Sequence, residues 1–134
     1  MPTTILDNEY ATLLYHPETK IVHHQFHKPV SGQSFREVLE KGAEACEEHG
    51  AIKWISDDRA NSAIPPEDGH WAENIWVPRV LAVGWKYWAI VMPAKIIGQM
   101  NMQYFKKQNQ DRGVTVQVFS DPDEAMQWLE SQGE

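Results

Sequence analysis

Residues 53–92 decide the fold: KWISDDRANSAIPPEDGHWAENIWVPRVLAVGWKYWAIVM. The segment opens with an apolar run around Trp54, passes through a polar loop at Asp57–Asn61, and enters a helix that begins at a proline pair. It closes with a second apolar run, Tyr87–Met92. Near-continuous apolar strands are typical of a parallel sheet covered on both faces. The segment therefore predicts two interior parallel strands joined by a helical crossover.

The flanking sequence extends this pattern in both directions. Two β-prone runs, Tyr10–Tyr15 and Ile21–Phe26, are separated by turn residues and predict an antiparallel hairpin. The remaining segments predict a helix that ends before Gly50, a helix over 94–112, a strand over 114–119 and a final helix from Pro122. The order is β-β-α-β-α-β-α-β-α. We predict one α/β domain over residues 1–134, with a five-stranded, mixed, mostly parallel sheet and about four helices.

Local patterns give finer expectations for the helices. Ser34 and Glu37 have the spacing of a capping box, with Ser31 as a competing cap. Cys46 falls on the buried stripe of the same helix and is expected to be a core residue, not a nucleophile. Pro78 is expected to stop or kink the second helix. The predicted buried faces of the second and third helices comprise Trp71, Ala72, Ile75 and Trp76, and Ile97, Met100 and Tyr104, with Met102 left exposed.

Composition excludes several classes of partner. The net charge is −7, which disfavours nucleic acid and anionic membrane surfaces. No apolar run approaches the ~20 residues of a membrane span, so we expect a protein that does not span the membrane. The single cysteine excludes an internal disulfide framework and fits a reducing cytoplasm, and no signal peptide is recognised.

Three clustered histidines do not predict a metal site. On a strand, His23 and His27 share a face but lie ~13 Å apart, and His24 points the opposite way. One zinc ion cannot take all three. The chain also lacks a glycine-rich phosphate loop, a Gly-x-Ser-x-Gly elbow and a Cys-x-x-Cys pair. We therefore predict no metal, no cofactor and no assigned catalytic residue.

The polar loop after the first interior strand is the candidate site. In open α/β sheets, ligands bind at the carboxyl ends of the strands, and this loop lies at such an end. Its polar groups can orient a ligand, while nearby tryptophans can form an apolar wall. The alternative is that an aspartate turn and a local ion pair only shape the loop. The predicted ligand-binding residues are Asp57, Asp58, Arg59, Asn61, Trp71, Trp76, Arg79 and Trp85.

The element order and the ending VQVFSDPDEAMQWL at residues 116–129 resemble the SpoIIAA-like family. This family includes STAS domains and, more distantly, CRAL-TRIO lipid-binding domains. The resemblance implies a regulatory module, in which a serine at the start of the helix after the third strand is phosphorylated. Here the Asp-Ser-Ser-Gly turn is missing and the helix starts with Pro65 and Pro66, which lack amide hydrogens for a phosphate. Ser56 and Ser62 are therefore not predicted to be switch residues.

Three functional hypotheses follow. The first is a non-enzymatic regulatory or binding module of the STAS-like type, with a possible protein partner. The second is a carrier of a small apolar or amphipathic ligand in a tryptophan-lined pocket. The third is a small enzyme that uses Asp57 or Asp58. We also predict a homodimer, because Met102 and the tryptophans exceed what one core of this size needs.

Overall fold

The computed structural model describes residues 1–133 and shows an α/β domain with a six-stranded mixed sheet. The strands lie in the order β1 to β6. Their bounds are β1 Thr3–Asp7, β2 Ala11–His16, β3 Ile21–Phe26, β4 Lys53–Asp57, β5 Tyr87–Val91 and β6 Thr115–Phe119. The helices are α1 Gln33–His49, α2 Pro66–Trp71, a π-helical turn Ala72–Trp76, α3 Val77–Val83, α4 Ile96–Gln110 and α5 Pro122–Ser131. Residues 66–83 form one continuous helical stretch, so the described chain has four helices. The predicted α/β class and the predicted number of helices are confirmed.

The predicted number of strands is wrong, because β1 was not recognised. This strand pairs antiparallel with β2, and its register shifts between Thr4 and Leu6. Asn8 forms the turn between them, since its Oδ1 accepts hydrogen bonds from the backbone N–H groups of Tyr10 at 2.8 Å and Ala11 at 3.0 Å. The strand is short, largely exposed and interrupted by an irregularity, so it lacks the clean alternation that marks a strand in sequence.

The other pairings follow the prediction. The β2–β3 hairpin is antiparallel, and the pairs β3–β4, β4–β5 and β5–β6 are parallel. The parallel register aligns Val22, Trp54, Trp88 and Val116 across the sheet. Successive residues of each strand point to opposite faces. The larger core lies on the face of these four residues, and the smaller core around Ile55 and Leu129 lies on the other face under α5.

Helix α1 packs closely on the larger face. Gly50 ends it in the left-handed conformation, with φ of 68°, as the sequence predicts. The predicted capping box is wrong: Gly32 is the N-cap, and the Ser34 hydroxyl instead donates to the Ser31 carbonyl at 2.8 Å. Gly42 lies against the ring of Trp54, where a Cβ atom would be 2.6 Å from Cζ3 and closer still to Cη2. The absence of a side chain at this position lets the helix approach the sheet.

The helix after the polar loop does not stop at Pro78. A π-helical turn directly precedes the proline, and the helical backbone continues through it into α3. Helix α3 then ends at Gly84. Ala72 and Trp76 are buried as predicted, but Ile75 is exposed. The extra residue of the π-helical turn shifts the face that this stretch presents to the sheet.

The predicted orientation of α4 is reversed. Met102 is buried, whereas Ile97, Met100 and Tyr104 have exposed fractions of 61%, 69% and 56%. The inward face also contains Gly98 and the polar Asn109, neither of which a hydrophobic pattern marks as core. No helix among residues 1–133 is long and apolar enough to cross a membrane.

Candidate functional site

The site begins with the alignment of β3 and β4 on the larger face of the sheet. His24 and Ser56 are direct register partners, and Trp54 lies two residues before Ser56 on the same face. All three residues are buried. The β3–β4 pairing therefore places a histidine, a serine and an indole side by side beneath the helices.

A tight turn after β4 adds two more polar side chains. The backbone N–H of Asn61 donates to the Asp58 carbonyl at 3.0 Å, which closes a β-turn over residues 58–61. The N–H of Asp58 donates to the Val91 carbonyl at 3.1 Å and fixes the start of the turn to β5. Asp58 and Asn61, the two ends of the turn, both line the cavity described below.

A hydrogen-bond chain connects the indole, the imidazole and the carboxylate. Trp54 Nε1 lies 3.0 Å from His24 Nδ1, and His24 Nε2 lies 2.9 Å from Asp58 Oδ1. An indole N–H can only donate, so His24 Nδ1 must accept and carries no proton. The imidazole is therefore neutral and places its single proton on Nε2, from which it donates to Asp58.

These polar groups border a cavity of about 100 Å³ between the sheet, α1, the 66–83 helical stretch and α4. Most of its wall is aromatic or aliphatic. The apolar lining residues are Phe26, Phe35, Leu39, Trp54, Ile64, Ala72, Trp76, Val77, Trp88, Pro93, Met102 and Phe105. A few fixed polar groups in an apolar cavity are the usual composition of a small-molecule site.

The remaining polar groups of the wall are partly committed to the protein. Trp88 Nε1 donates to Ser56 Oγ at 2.9 Å. Asn61 Oδ1 accepts from the Val30 N–H at 3.3 Å, which assigns the amide orientation and leaves Nδ2 as a donor. Among residues 1–133, that nitrogen donates no hydrogen bond. The cavity therefore offers a ligand one Asp58 oxygen and several polar hydrogens. The donors are the side-chain amides of Asn61 and Asn101 and the hydroxyls of Ser56 and Ser62.

The charge of the wall is negative. Neither lysine nor arginine lines the cavity in the described part of the chain, and the lining carboxylates are Asp58 and Glu73. Glu73 is paired with Arg112 and accepts from Asn109. The Asp58 side chain is 19% exposed, and the basic side chain that it contacts in residues 1–133 is the neutral His24. It is the lining carboxylate without a cationic partner in residues 1–133.

The structure brings Asp58, Asn61 and Trp76 together at this cavity, out of the eight residues predicted from sequence. The indole of Trp76 donates to the Leu39 carbonyl at 2.7 Å. Trp85 is buried behind the wall, with its ring centroid 5.3 Å from that of Trp76. Its indole does not reach the cavity, so it supports the lining residue without contacting a ligand.

Two further predicted residues lie on the 66–83 helical stretch, outside the cavity. Trp71 is half-buried beneath the Arg36 guanidinium, which lies 5.3 Å from its ring centroid. Arg79 is bound by both Glu47 oxygens at 2.7 and 2.8 Å on the surface of α3. Neither residue lines the cavity.

Asp57 and Arg59 form a separate pair on the smaller face. The Arg59 guanidinium donates to Asp57 at 2.9 and 2.7 Å, and the Asp57 side chain is only 4% exposed. The hydrogen bonds to Asp57 raise the pKa of Arg59, with burial opposing the shift and nearby carboxylates adding to it. Strand alternation directs Asp57 and Asp58 to opposite faces, so these adjacent carboxylates do not act on one ligand.

The geometry also limits the chemistry available to Ser56. A serine nucleophile needs an adjacent base with a free imidazole nitrogen. In His24, Nδ1 accepts from Trp54 and Nε2 donates to Asp58, so both nitrogens are occupied. The arrangement therefore positions Asp58 and does not activate Ser56.

Several lining residues were not predicted. The sequence places Trp54 and Trp88 in interior strands without predicting a site there, predicts that Met102 is exposed, and predicts no site at His24. The available signal was the alternation in β3, which places His24 on the same face as Val22 and Phe26. A polar side chain on an apolar strand face needs a partner, but the partner here depends on strand register.

Neither a scan against protein-family models nor searches of curated proteins and solved structures returned a match to this chain.

Proposed function

We propose that this protein is a non-enzymatic binding domain that holds a small amphipathic molecule in the cavity around Asp58. The observation that carries the proposal is the Trp54–His24–Asp58 chain. It uses both imidazole nitrogens to fix one carboxylate at the edge of an aromatic cavity. Such preorganisation is expected of a binding site, because it reduces the ordering cost of the complex.

The cavity limits the size of the molecule. A cavity of roughly 150 Å³ holds one benzene, so about 100 Å³ accommodates roughly four to five non-hydrogen atoms. Drug-sized ligands occupy roughly 300–1,000 Å³. The dimensions therefore support a compact ligand over a long acyl chain.

The resemblance to the SpoIIAA-like family supports a regulatory role for this binding. A compact ligand under α4 would change how that helix packs, and α4 displays its apolar residues on the outside. A partner protein that contacts α4 would respond to the occupied state. The single buried thiol, Cys46, supports a cytoplasmic location.

The outer face of α4 supports a homodimer. Ile96, Met100 and Tyr104 are exposed and lie four residues apart, so they form one ridge along the helix. The ridge is symmetric in sequence about Met100. An antiparallel second copy would place Met100 on Met100 and Ile96 on Tyr104, as a two-fold interface requires. Light scattering should give twice the 15.4 kDa chain mass, and Met100→Lys should give the monomer mass. A wild-type monomer at high micromolar concentration would contradict the dimer.

A small enzyme that uses Asp58 is the second candidate. The supporting observation is that one Asp58 oxygen has no hydrogen-bond partner among residues 1–133, so it is free to accept a proton. Turnover of a cavity-bound compound that is lost in Asp58→Asn would favour catalysis over binding.

A fragment screen by NMR tests the binding proposal. The indole N–H resonances of Trp54 and Trp88 report on the cavity, and that of Trp128 on the far face serves as a reference. Met102→Trp should fill the cavity and abolish the shifts. Met100→Trp is the matched control, because it adds the same ring to the outer face of the same helix. Equal binding to both variants, or no fragment binding to the wild type, would contradict the proposal.

A further inference from the structure

We infer that the ligand is a compact organic cation, such as a small primary amine, that binds directly to Asp58. This inference rests on the proposed binding function and adds the charge of the ligand. It follows from the hydrogen-bond chain, because the same contact that orients His24 also determines its charge.

The Asp58 carboxylate has no cationic partner among residues 1–133. Trp54 donates to His24 Nδ1, so the imidazole is neutral and its contact with Asp58 is a hydrogen bond to a charge, not an ion pair. Placing a carboxylate in a largely apolar cavity costs free energy unless a cation accompanies it. A cationic ligand would supply the missing partner.

Anionic and neutral ligands are less favourable at this cavity than a cation. An anionic ligand would meet the unpaired Asp58 carboxylate, with no lysine or arginine in the described lining to offset it. Like charges at a desolvated site repel strongly. A neutral ligand could accept a hydrogen bond from the Asn61 amide, but it would leave the charge of the Asp58 carboxylate uncompensated. The charges of the wall therefore favour a cation over both.

The aromatic rings of the cavity wall also favour a cation. Trp54, Trp88 and Phe105 line the same cavity as Asp58. Aromatic faces attract cations, and the attraction is larger where water is excluded. The wall thus suits an ammonium group with a short apolar substituent, whose size matches a cavity of about 100 Å³.

Three probes of equal chain length test the inference: n-butylamine, 1-butanol and butyrate. The titrations use the full-length protein near pH 7 and follow the Trp54 and Trp88 indole resonances. We expect butylamine to bind at least about tenfold more tightly than butanol. The reason is that a hydrogen bond between an ammonium group and a carboxylate is stronger than one from a neutral hydroxyl. Butyrate should not shift either resonance.

Substitutions locate the charge that is responsible. Asp58→Asn keeps the shape of the side chain and should weaken butylamine binding by about tenfold or more, while weakening butanol binding much less, because butanol carries no charge. Asp111→Asn is the control for net charge, because Asp111 is exposed and does not line the cavity. It should leave all three affinities unchanged.

The outcomes separate the inference from the proposed function. Butanol or butyrate binding as tightly as butylamine would overturn the cationic ligand and leave the binding function intact. Binding of none of the three, together with a blank fragment screen, would overturn both. The comparison of the three probes uses the wild-type protein, so it decides the question even where Asp58→Asn does not fold.

Discussion

Gly42→Ala tests the packing that holds the site together. The new methyl group would lie 2.6 Å from Trp54 Cζ3 and closer still to Cη2, in a ring that is 1% exposed. Overpacking of a core lowers the free energy of unfolding by about 1–3 kcal/mol. A clash with a rigid buried ring should cost near the upper end of that range. Alanine in place of a helical glycine returns about 1 kcal/mol. We therefore expect a net loss of about 2 kcal/mol in the free energy of unfolding.

Urea denaturation followed by far-ultraviolet circular dichroism measures this loss. With a urea dependence of about 1–3 kcal/mol per molar, the midpoint should fall by roughly 1 M. The matched background is Trp54→Phe, because phenylalanine lacks the benzo ring that carries Cζ3 and Cη2. In that background Gly42→Ala should be neutral or stabilising by up to about 1 kcal/mol. An equal loss in both backgrounds would refute the proposed contact between α1 and the indole.

Three further outcomes follow from other buried groups. Arg59→Ala should cost about 1–2 kcal/mol in urea unfolding, since it leaves the buried Asp57 carboxylate unpaired, whereas Arg79→Ala, which breaks an exposed pair, should change the midpoint little. Burial, followed by the proximity of His16, lowers the pKa of His23 to about 4. The unfolded state therefore binds the proton first, and the wild type should lose up to about 3 kcal/mol more than His23→Gln as the pH falls from ~6.5 to ~4; equal losses would contradict this. Burial raises the pKa of Cys46 to about 12, so a thiol reagent near pH 8 should react only as the protein unfolds in urea.

The sequence was sufficient for the α/β class, the hairpin, the parallel strands, the cap at Gly50 and the start of the last helix at Pro122. These features depend on local periodicity and on residues with restricted backbone conformations, and both are visible along the chain. The first strand was missed because its five residues are mostly exposed and carry an irregularity. Edge strands of this kind leave little hydrophobic pattern to read.

The site was only partly predictable for a different reason. The turn at Asp58–Asn61 could be placed at a sheet edge from sequence, because it follows an interior strand. Its connection to His24 depends on the register of β3 against β4, and the sequence pattern does not determine register between strands 30 residues apart. The face of α4 was reversed because its inward side contains Gly98 and Asn109, while its outer side carries the larger apolar residues.

The central claim is that His24 is neutral and leaves Asp58 as an uncompensated carboxylate. Long-range ¹H–¹⁵N NMR of the imidazole near neutral pH measures this directly, with His24→Gln used to assign the signals. We predict a protonated Nε2 and an unprotonated Nδ1 that is coupled through its hydrogen bond to the Trp54 indole proton. Protons on both nitrogens would instead show an ion pair with Asp58, and would contradict the uncompensated carboxylate and the cationic ligand inferred from it.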